Sequence, residues 1–328
     1  MSSLGQFINK KFVFCAAGIF FCYFYYGILQ EKITRAKYGI KREQFTYSMS
    51  LVFVQCIINT LFAIFFNSFF TSNEKDGTKS KDTTTNFLYA SASICYVVAM
   101  VSSNRSLEHV SYPTQVIAKS CKPIPVMIIG VLYTRKRYTL AKYFFVLLIV
   151  IGVGTFMYNP NKSSSAATNA YFIGELLLLL SLTMDGFLGA FQDRMKSEHQ
   201  TKPGRMMFWM NAWSTLFLLA ALIVTGELKQ FISFINRFSF VIWSILQFSI
   251  MSAVGQLFIF LTITNFGPLS CSLVTTTRKF FTVLFSVLLF GNSLTGQQWL
   301  GTALVFSGLG LDMFFGKQPP KQAKKNSI

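Results

Sequence analysis

Apolar residues fill this chain in long blocks, and polar residues collect in the short gaps between them. Runs of membrane-spanning length fall at 12–30, 46–70, 86–104, 111–133, 138–158, 171–191, 206–226, 239–264, 269–291 and 295–315. Each is near or above the roughly 20 residues that cross a bilayer as a helix. The pattern predicts an all-α membrane protein of ten transmembrane helices. The first run follows Lys10 and Lys11, as the core of a signal peptide does. It is long and has no clear small-residue cleavage site, so it reads as a retained helix.

The last two helices of each half align without a gap. With helices four and five laid on nine and ten, Thr139 falls on Thr295, Gly152 and Gly154 on Gly308 and Gly310, and Lys122 on Arg278. A repeat of five spans is odd in number, so its second copy must be inverted in the membrane. Inverted repeats are a recurrent transporter architecture, with the substrate site near midplane where the copies meet. The expected layout is a short tail (1–11), a first five-helix repeat (12–158), a linker (159–170), a second repeat (171–315) and a basic tail (316–328). The glycines at 152, 154, 308 and 310 lie inside helices, so they read as close-packing positions.

Composition agrees with the pattern. The chain is 52% hydrophobic and 13% charged, against about 25% charged in soluble domains, and its mean hydropathy is +0.46. The formal net charge of +18 would suggest nucleic acid in a soluble protein. Here the cations sit mostly in short loops and no basic surface domain exists, so nucleic acid is not an expected partner and membrane lipid is. With the amino terminus cytoplasmic, sixteen loop and tail cations face the cytoplasm and nine the other side. That excess predicts both termini in the cytoplasm. Lys32, Arg35, Lys37, Lys41 and Arg42 run against the rule.

Asn161-Lys162-Ser163 is an N-glycosylation pattern on the far side. The tail ends AKKNSI, with Lys324 and Lys325 fifth and fourth from the end. It resembles a dilysine retrieval signal of the endoplasmic reticulum, of the kind coat proteins recognise. Six cysteines all fall in apolar segments without a C-x-x-C, and read as small buried hydrophobes. With two histidines, a histidine-based metal site is not expected, nor is a cofactor. Phosphate loops, nucleophile elbows and zincin motifs are lacking, so no enzyme is indicated.

The chemistry lies in SYPTQVIAKSCKPIPVMIIG, residues 111–130. Lys119 and Lys122 stand three apart on one helix face, deep in an apolar run, with no carboxylate close in sequence. Pro123 and Pro125 follow and break helix hydrogen bonding, which at such depth is tolerated beside protein or a water-filled cavity. The matching helix carries Arg278 and Lys279 in TTTRKFF. Each buried cation costs about 2.5–3.5 kcal/mol on insertion scales. Two readings follow. Glu31, Glu175, Asp185 and Asp312 supply a structural ion-pair network, or a polyanionic substrate meets the cations. Phosphates suit a Lys/Arg cluster in a low-dielectric cavity. Gln115, Ser120, Thr275, Thr276 and Thr277 flank the cations as hydroxyl and amide donors. Tyr23, Tyr25 and Tyr26 are either base-stacking platforms or interface anchors, and Glu31 is a candidate counter-ion for a lysine when substrate is absent. Gln256 and Asn104 are either substrate contacts or interhelical glue.

The motifs YFYYGILQEKITR, AMVSSN, SYPTQVIAKSCKPIPVM, GELLLLLSLTMDG, FGPLSCSLVTTTRKFF and GLGLDMFFGK resemble the nucleotide-sugar transporter family, solute carrier family 35, from about residue 12 to the end. The resemblance implies the ten-helix drug/metabolite transporter fold and exchange of a cytosolic nucleotide or nucleotide sugar for a lumenal nucleotide in the endoplasmic reticulum. It implies ATP for ADP or UDP-galactose for UMP, with Lys119, Lys122, Arg278 and Lys279 on substrate phosphates and Tyr112 among the pocket candidates. The dense cationic site favours ATP and ADP, whose charge is higher. A membrane-embedded transferase and a non-transporting scaffold are the competing classes. The first requires a general base or metal in the cavity, and the second requires paired cations around a closed one.

Overall fold

The structure is a computed structural model that describes residues 10–40, 42–71, 83–106, 109–110, 115, 118–119, 121–134, 138–157, 168–289 and 295–315. The side chains of Glu31, Lys279, Asp312 and some others near helix ends lie outside the description, as do Tyr112, Ser120, Asn161 and the tail lysines. The described residues are almost entirely helical. α1 (Lys10–Arg35) leads through a two-strand hairpin, β1 (Lys37–Tyr38) and β2 (Glu43–Gln44), into α2 (Ser48–Thr71). Then come α3 (Asn86–Ser106), α4 (Pro123–Thr134), α5 (Leu140–Met157), α6 (Thr168–Ser197) and α7 (Pro203–Thr225). α8 (Glu227–Arg237), α9 (Val241–Phe266), α10 (Pro268–Leu289) and α11 (Gly296–Phe315) complete the chain.

Six of these helices are long and apolar enough to cross a membrane by length and composition, and α4 and α5 are shorter apolar helices. The outward surface agrees. Phe21, Phe87, Val224 and Trp243 are among many large apolar side chains left exposed, a surface that suits lipid and not water. Five cysteines are buried and Cys121 is half-buried, none of them in a disulfide, in keeping with their reading as small hydrophobes.

The helix contacts come in mates. α1 packs on α9 as α6 packs on α3, α2 on α9 as α7 on α3, and α1 on α10 as α6 on α4. The pairs α2–α7, α4–α10 and α5–α11 join helices that hold equivalent places in the two halves. At α5–α11, the backbones touch at small residues, because lipid offers no hydrophobic drive and close van der Waals fit must replace it. A Cβ on Gly152 would stand 2.8 Å from the Val305 nitrogen, and one on Gly308 2.8 Å from Ile149 Cγ1. Gly154 and Gly310 correct the expectation that all four glycines pack closely. A Cβ there would meet nothing within 4 Å, because a two-residue step turns the side chain to another face of the helix.

The amphipathic helix α8 falls in a gap between predicted spans. Leu228, Phe231, Ile235 and Phe238 recur at helical spacing. Its buried Phe234 meets Tyr38 and Phe45 at ring distances of 5.3 and 5.6 Å. Arg237 Nη1 donates to Glu43 Oε1 at 2.7 Å. Glu227 Oε1 accepts the Ser50 backbone N–H and hydroxyl, both at 2.9 Å, and so caps the first turn of α2. The cation-rich connection after α1 is thereby part of a folded platform with α8.

Candidate functional site

Gln115, Ala118 and Lys119 are helical, and a turn at Cys121 and Lys122 interrupts the helix before α4. Cys121 N–H donates to Ala118 O at 3.0 Å, and Lys122 N–H to Lys119 O at 3.4 Å. Ile124 N–H reaches back to Cys121 O at 3.0 Å, before α4 settles into a four-residue step with Val126 N–H on Lys122 O at 3.3 Å. Pro123 and Pro125 cause this, since neither has an N–H to donate. Proline suits the first turn of a helix, so α4 begins at Pro123, with Lys122 on the turn before it and Lys119 on the helical residues before that turn.

Both lysines reach α6. Lys119 Nζ lies 2.8 Å from Asp185 Oδ2 and 2.5 Å from Ser181 Oγ, and Lys122 Nζ lies 2.9 Å from Asp185 Oδ1. The Ser181 hydroxyl in turn donates to the Ala99 carbonyl of α3. Gly186 makes the approach possible. A Cβ there would come within 2.9 Å of the Pro125 carbonyl oxygen and 2.6 Å of Ile129 Cδ1, so a side chain would push α6 off α4. The Asp185 side chain is 9% exposed, against 16% for Lys119 and 31% for Lys122. One carboxylate thus serves two cations and the trio carries a net positive charge. Desolvation makes such a cluster costly unless every charge is bonded, and here each oxygen has its own lysine.

Arg278 stands on α10. Its Nη1 donates to the Tyr23 carbonyl of α1 at 3.4 Å, and its guanidinium carbon lies 5.5 Å from the Tyr23 ring centre, a cation–π arrangement. A cavity of about 150 Å³ is lined by Tyr23, Tyr96, Lys122, Asp185, Asn211 and Gln256, among others, and Arg278 reaches it only through its contact with Tyr23. Its far wall carries a relay of amides. Asn59 Nδ2 donates to Asn211 Oδ1 at 3.2 Å, and Asn211 Nδ2 to Gln256 Oε1 at 2.8 Å. The fully buried Ser214 Oγ is on the same wall and has no hydrogen-bond partner among the described residues.

Of the residues singled out from sequence, Lys122, Thr275 and Gln256 line the cavity, and Lys119 joins through Asp185. Gln115 turns away, donating to the Ser103 carbonyl and hydroxyl of α3 at 2.7 and 3.1 Å. Thr276 and Thr277 are buried, and Thr277 bonds back to the Leu273 and Val274 carbonyls of its own helix. Tyr26 stacks on Phe248 at 4.3 Å and donates to Gln55 Oε1 at 3.3 Å, and of the three helix α1 tyrosines Tyr23 lines the cavity. Tyr112 and Ser120, and the side chains of Glu31 and Lys279, lie outside the described residues.

Of the carboxylates named as candidate counter-ions, Asp185 is the one that meets both lysines. Asp185 is remote in sequence and adjacent in space, because α6 crosses α4 at Gly186. Ser181, Tyr96, Asn211 and Ser214 are further site residues that sequence reasoning missed. Asp185 was legible only as one of several available carboxylates. Among the described residues, no cluster of histidine, cysteine, aspartate or glutamate is arranged to hold a metal ion.

A profile of the UAA transporter family matches residues 11–315. The chain belongs to the UAA transporter family. Curated relatives agree with that placement. Solute carrier family 35 member B1 of Gallus gallus is 55% identical over 305 residues, covering 92% of each chain. The Xenopus tropicalis protein of the same name is 54% identical, over 95% of this chain and 96% of its own. The Drosophila melanogaster homologue is 47% identical over 97% of this chain and 94% of its own. A crystal structure of a protein only 8% identical covers 94% of this chain and 97% of its own with a TM-score of 0.67, a likeness of fold alone. The motif resemblance to solute carrier family 35 is therefore borne out. This UAA transporter family member is a multi-pass membrane transporter and not an enzyme.

Proposed function

We propose that the protein is an endoplasmic-reticulum nucleotide antiporter that imports ATP into the lumen in exchange for ADP by alternating access. The observation that carries the reading is Lys122 on the cavity wall, with Lys119 joined to that wall through Asp185 and Arg278 held against the cavity-lining Tyr23. The first half supplies Lys122 to the cavity, and the second half places Arg278 on Tyr23 at its edge. Phosphate oxygens accept several charge-assisted bonds at once, so a triphosphate matches a site of clustered cations better than a neutral solute does. Lys279 is the fourth phosphate-binding residue in this reading. The mated helix contacts support two inverted five-helix halves, 12–158 and 171–315, that rock about the site. The cation excess in the loops supports cytoplasmic termini, with the dilysine-like tail available to coat proteins.

A second reading, UDP-galactose in exchange for UMP, is favoured by one observation. The cavity wall of Asn211, Gln256 and Ser214 offers amide and hydroxyl groups suited to sugar hydroxyls. Counterflow into proteoliposomes separates the two. Vesicles loaded with ADP should accumulate labelled ATP, while vesicles loaded with UMP should not accumulate UDP-galactose. The reverse result would replace the first reading with the second, and accumulation of neither would sink both.

A further inference from the structure

The acceptor that holds Lys119 and Lys122 is part of the protein itself. Asp185 offers two oxygens, each to a different lysine, at 2.8 and 2.9 Å. A phosphate group would offer the same lysines anionic oxygens that accept the same kind of charge-assisted bond. The cavity beside them measures about 150 Å³, whereas sites for ligands of this size run to roughly 300–1,000 Å³. A nucleotide therefore enters only if the site expands. The contact that must yield is the one between α6 and the segment that carries Lys119, Lys122 and the start of α4, with Gly186 against the Pro125 carbonyl and Asp185 on the lysines.

From this geometry we propose that Asp185 is a built-in stand-in for substrate phosphate: it occupies the two lysines in the empty carrier, and incoming phosphate must displace it. The inference rests on the nucleotide-exchange reading and adds how that site is regulated. A displaced Asp185 faces an arriving anion in a low-dielectric cavity, and the repulsion drives α6 away from α4. When the nucleotide leaves, the carboxylate returns to the lysines and draws the helices together. An empty carrier that changed sides would break both ion pairs with no anion to replace them. A loaded carrier has already exchanged them for phosphate. Fast exchange and slow net flux follow from the same pair of bonds. Asp185 is thus a positioning residue for the transport cycle and not a ligand of the substrate.

The test is Asp185→Asn, read by three measurements on the full chain in proteoliposomes and detergent. The half-saturating concentration for ATP and the Kd for inorganic pyrophosphate should fall roughly ten-fold, the size expected from removing a competing charge-assisted bond. Net efflux into nucleotide-free buffer should rise roughly ten-fold relative to exchange, a ratio that a merely structural pair would leave unchanged. In the wild-type protein, which needs no variant to fold, saturating ATP should increase amide hydrogen exchange across residues 178–189. Equal pyrophosphate affinity and unchanged coupling in Asp185→Asn would overturn the inference and leave nucleotide exchange standing. So would wild-type exchange over 178–189 that ATP leaves flat or slows. Failure of both proteins to bind any nucleotide or pyrophosphate would instead overturn the exchange reading itself.

Discussion

Lys122 Nζ and Asp185 Oδ1 stand 2.9 Å apart although 63 positions separate them in the chain, and Lys119 closes on the other oxygen of the same carboxylate. The cluster has two cations and one anion, so its members are not equivalent to mutation. Asp185→Ala leaves two buried ammonium groups without their acceptor, and loss of one partner from a buried pair costs about 3–5 kcal/mol. Lys122→Ala leaves Asp185 with Lys119 and should cost about 1–3 kcal/mol. Thermal unfolding of the purified variants should rank them in that order. An Asp185→Ala protein as stable as wild type would remove the pair from the fold's energetics.

Transport should separate from folding at the lysines. Lys119→Ala and Lys122→Ala should each abolish nucleotide uptake into proteoliposomes while the protein still purifies as a folded species. Arg278→Ala should do the same and also loosen α10 from α1, because the guanidinium bridges to the Tyr23 carbonyl and ring. Uptake kinetics beside a thermal scan check all three. Full transport by any one of them would take that residue out of the phosphate site.

Much of this was legible in the sequence, and the limits have physical causes. Among the described residues, the six long apolar helices declared themselves because about 20 apolar residues have no other use in so short a loop pattern. Lys119 and Lys122 stood out because a charge inside such a span is costly. Their partner did not, since Asp185 is one carboxylate among several and only the crossing at Gly186 selects it. The helix α8 was invisible to a search for spans, being half polar and 11 residues long. Its helical spacing of apolar residues was the available signal. Tyr26 and Tyr23 were indistinguishable by composition, and only packing against Phe248 directs Tyr26 away from the cavity.

The crossing of α5 and α11 should be intolerant of volume. A methyl group at Gly152 would lie 2.8 Å from a backbone nitrogen and one at Gly301 2.7 Å from a backbone oxygen, and backbone does not yield as a side chain does. Gly152→Ala should lower stability by about 1–3 kcal/mol, the usual cost of overpacking. Gly154→Ala has open space around its new methyl group and should be neutral or slightly stabilising, as alanine is in a helix. Matched thermal scans in one detergent decide this, and equal losses at both positions would contradict the described crossing.

The link between α8 and α2 should hold the platform after α1 in place. Glu227 accepts two bonds from Ser50, one of them from an orphan N–H in the first turn of α2. Glu227→Ala removes both, and capping losses run to about 1–2 kcal/mol. Amide hydrogen exchange should quicken at residues 48–52 and at α8 and leave α5 unchanged. Uniform quickening through the protein would mean that Glu227 supports the whole fold and not this corner.

Ser214 separates packing from recognition on the cavity wall. Its hydroxyl is fully buried and has no hydrogen-bond partner among the described residues, so the folded protein carries the desolvation of that group without a compensating bond. Removing such a group is neutral or stabilising, by up to about 1–3 kcal/mol. Ser214→Ala should therefore raise the unfolding temperature or leave it unchanged. The substrate supplies the opposite sign. A hydroxyl that bonds the bound solute and is then deleted weakens binding several-fold, since one neutral hydrogen bond contributes about 0.5–1.5 kcal/mol. Half-saturation for UDP-galactose should rise more than that for ATP if sugar hydroxyls meet this wall, and the reverse order would place the nucleoside against it. Unchanged transport of both would return Ser214 to the interior, as a small polar residue that the helices tolerate.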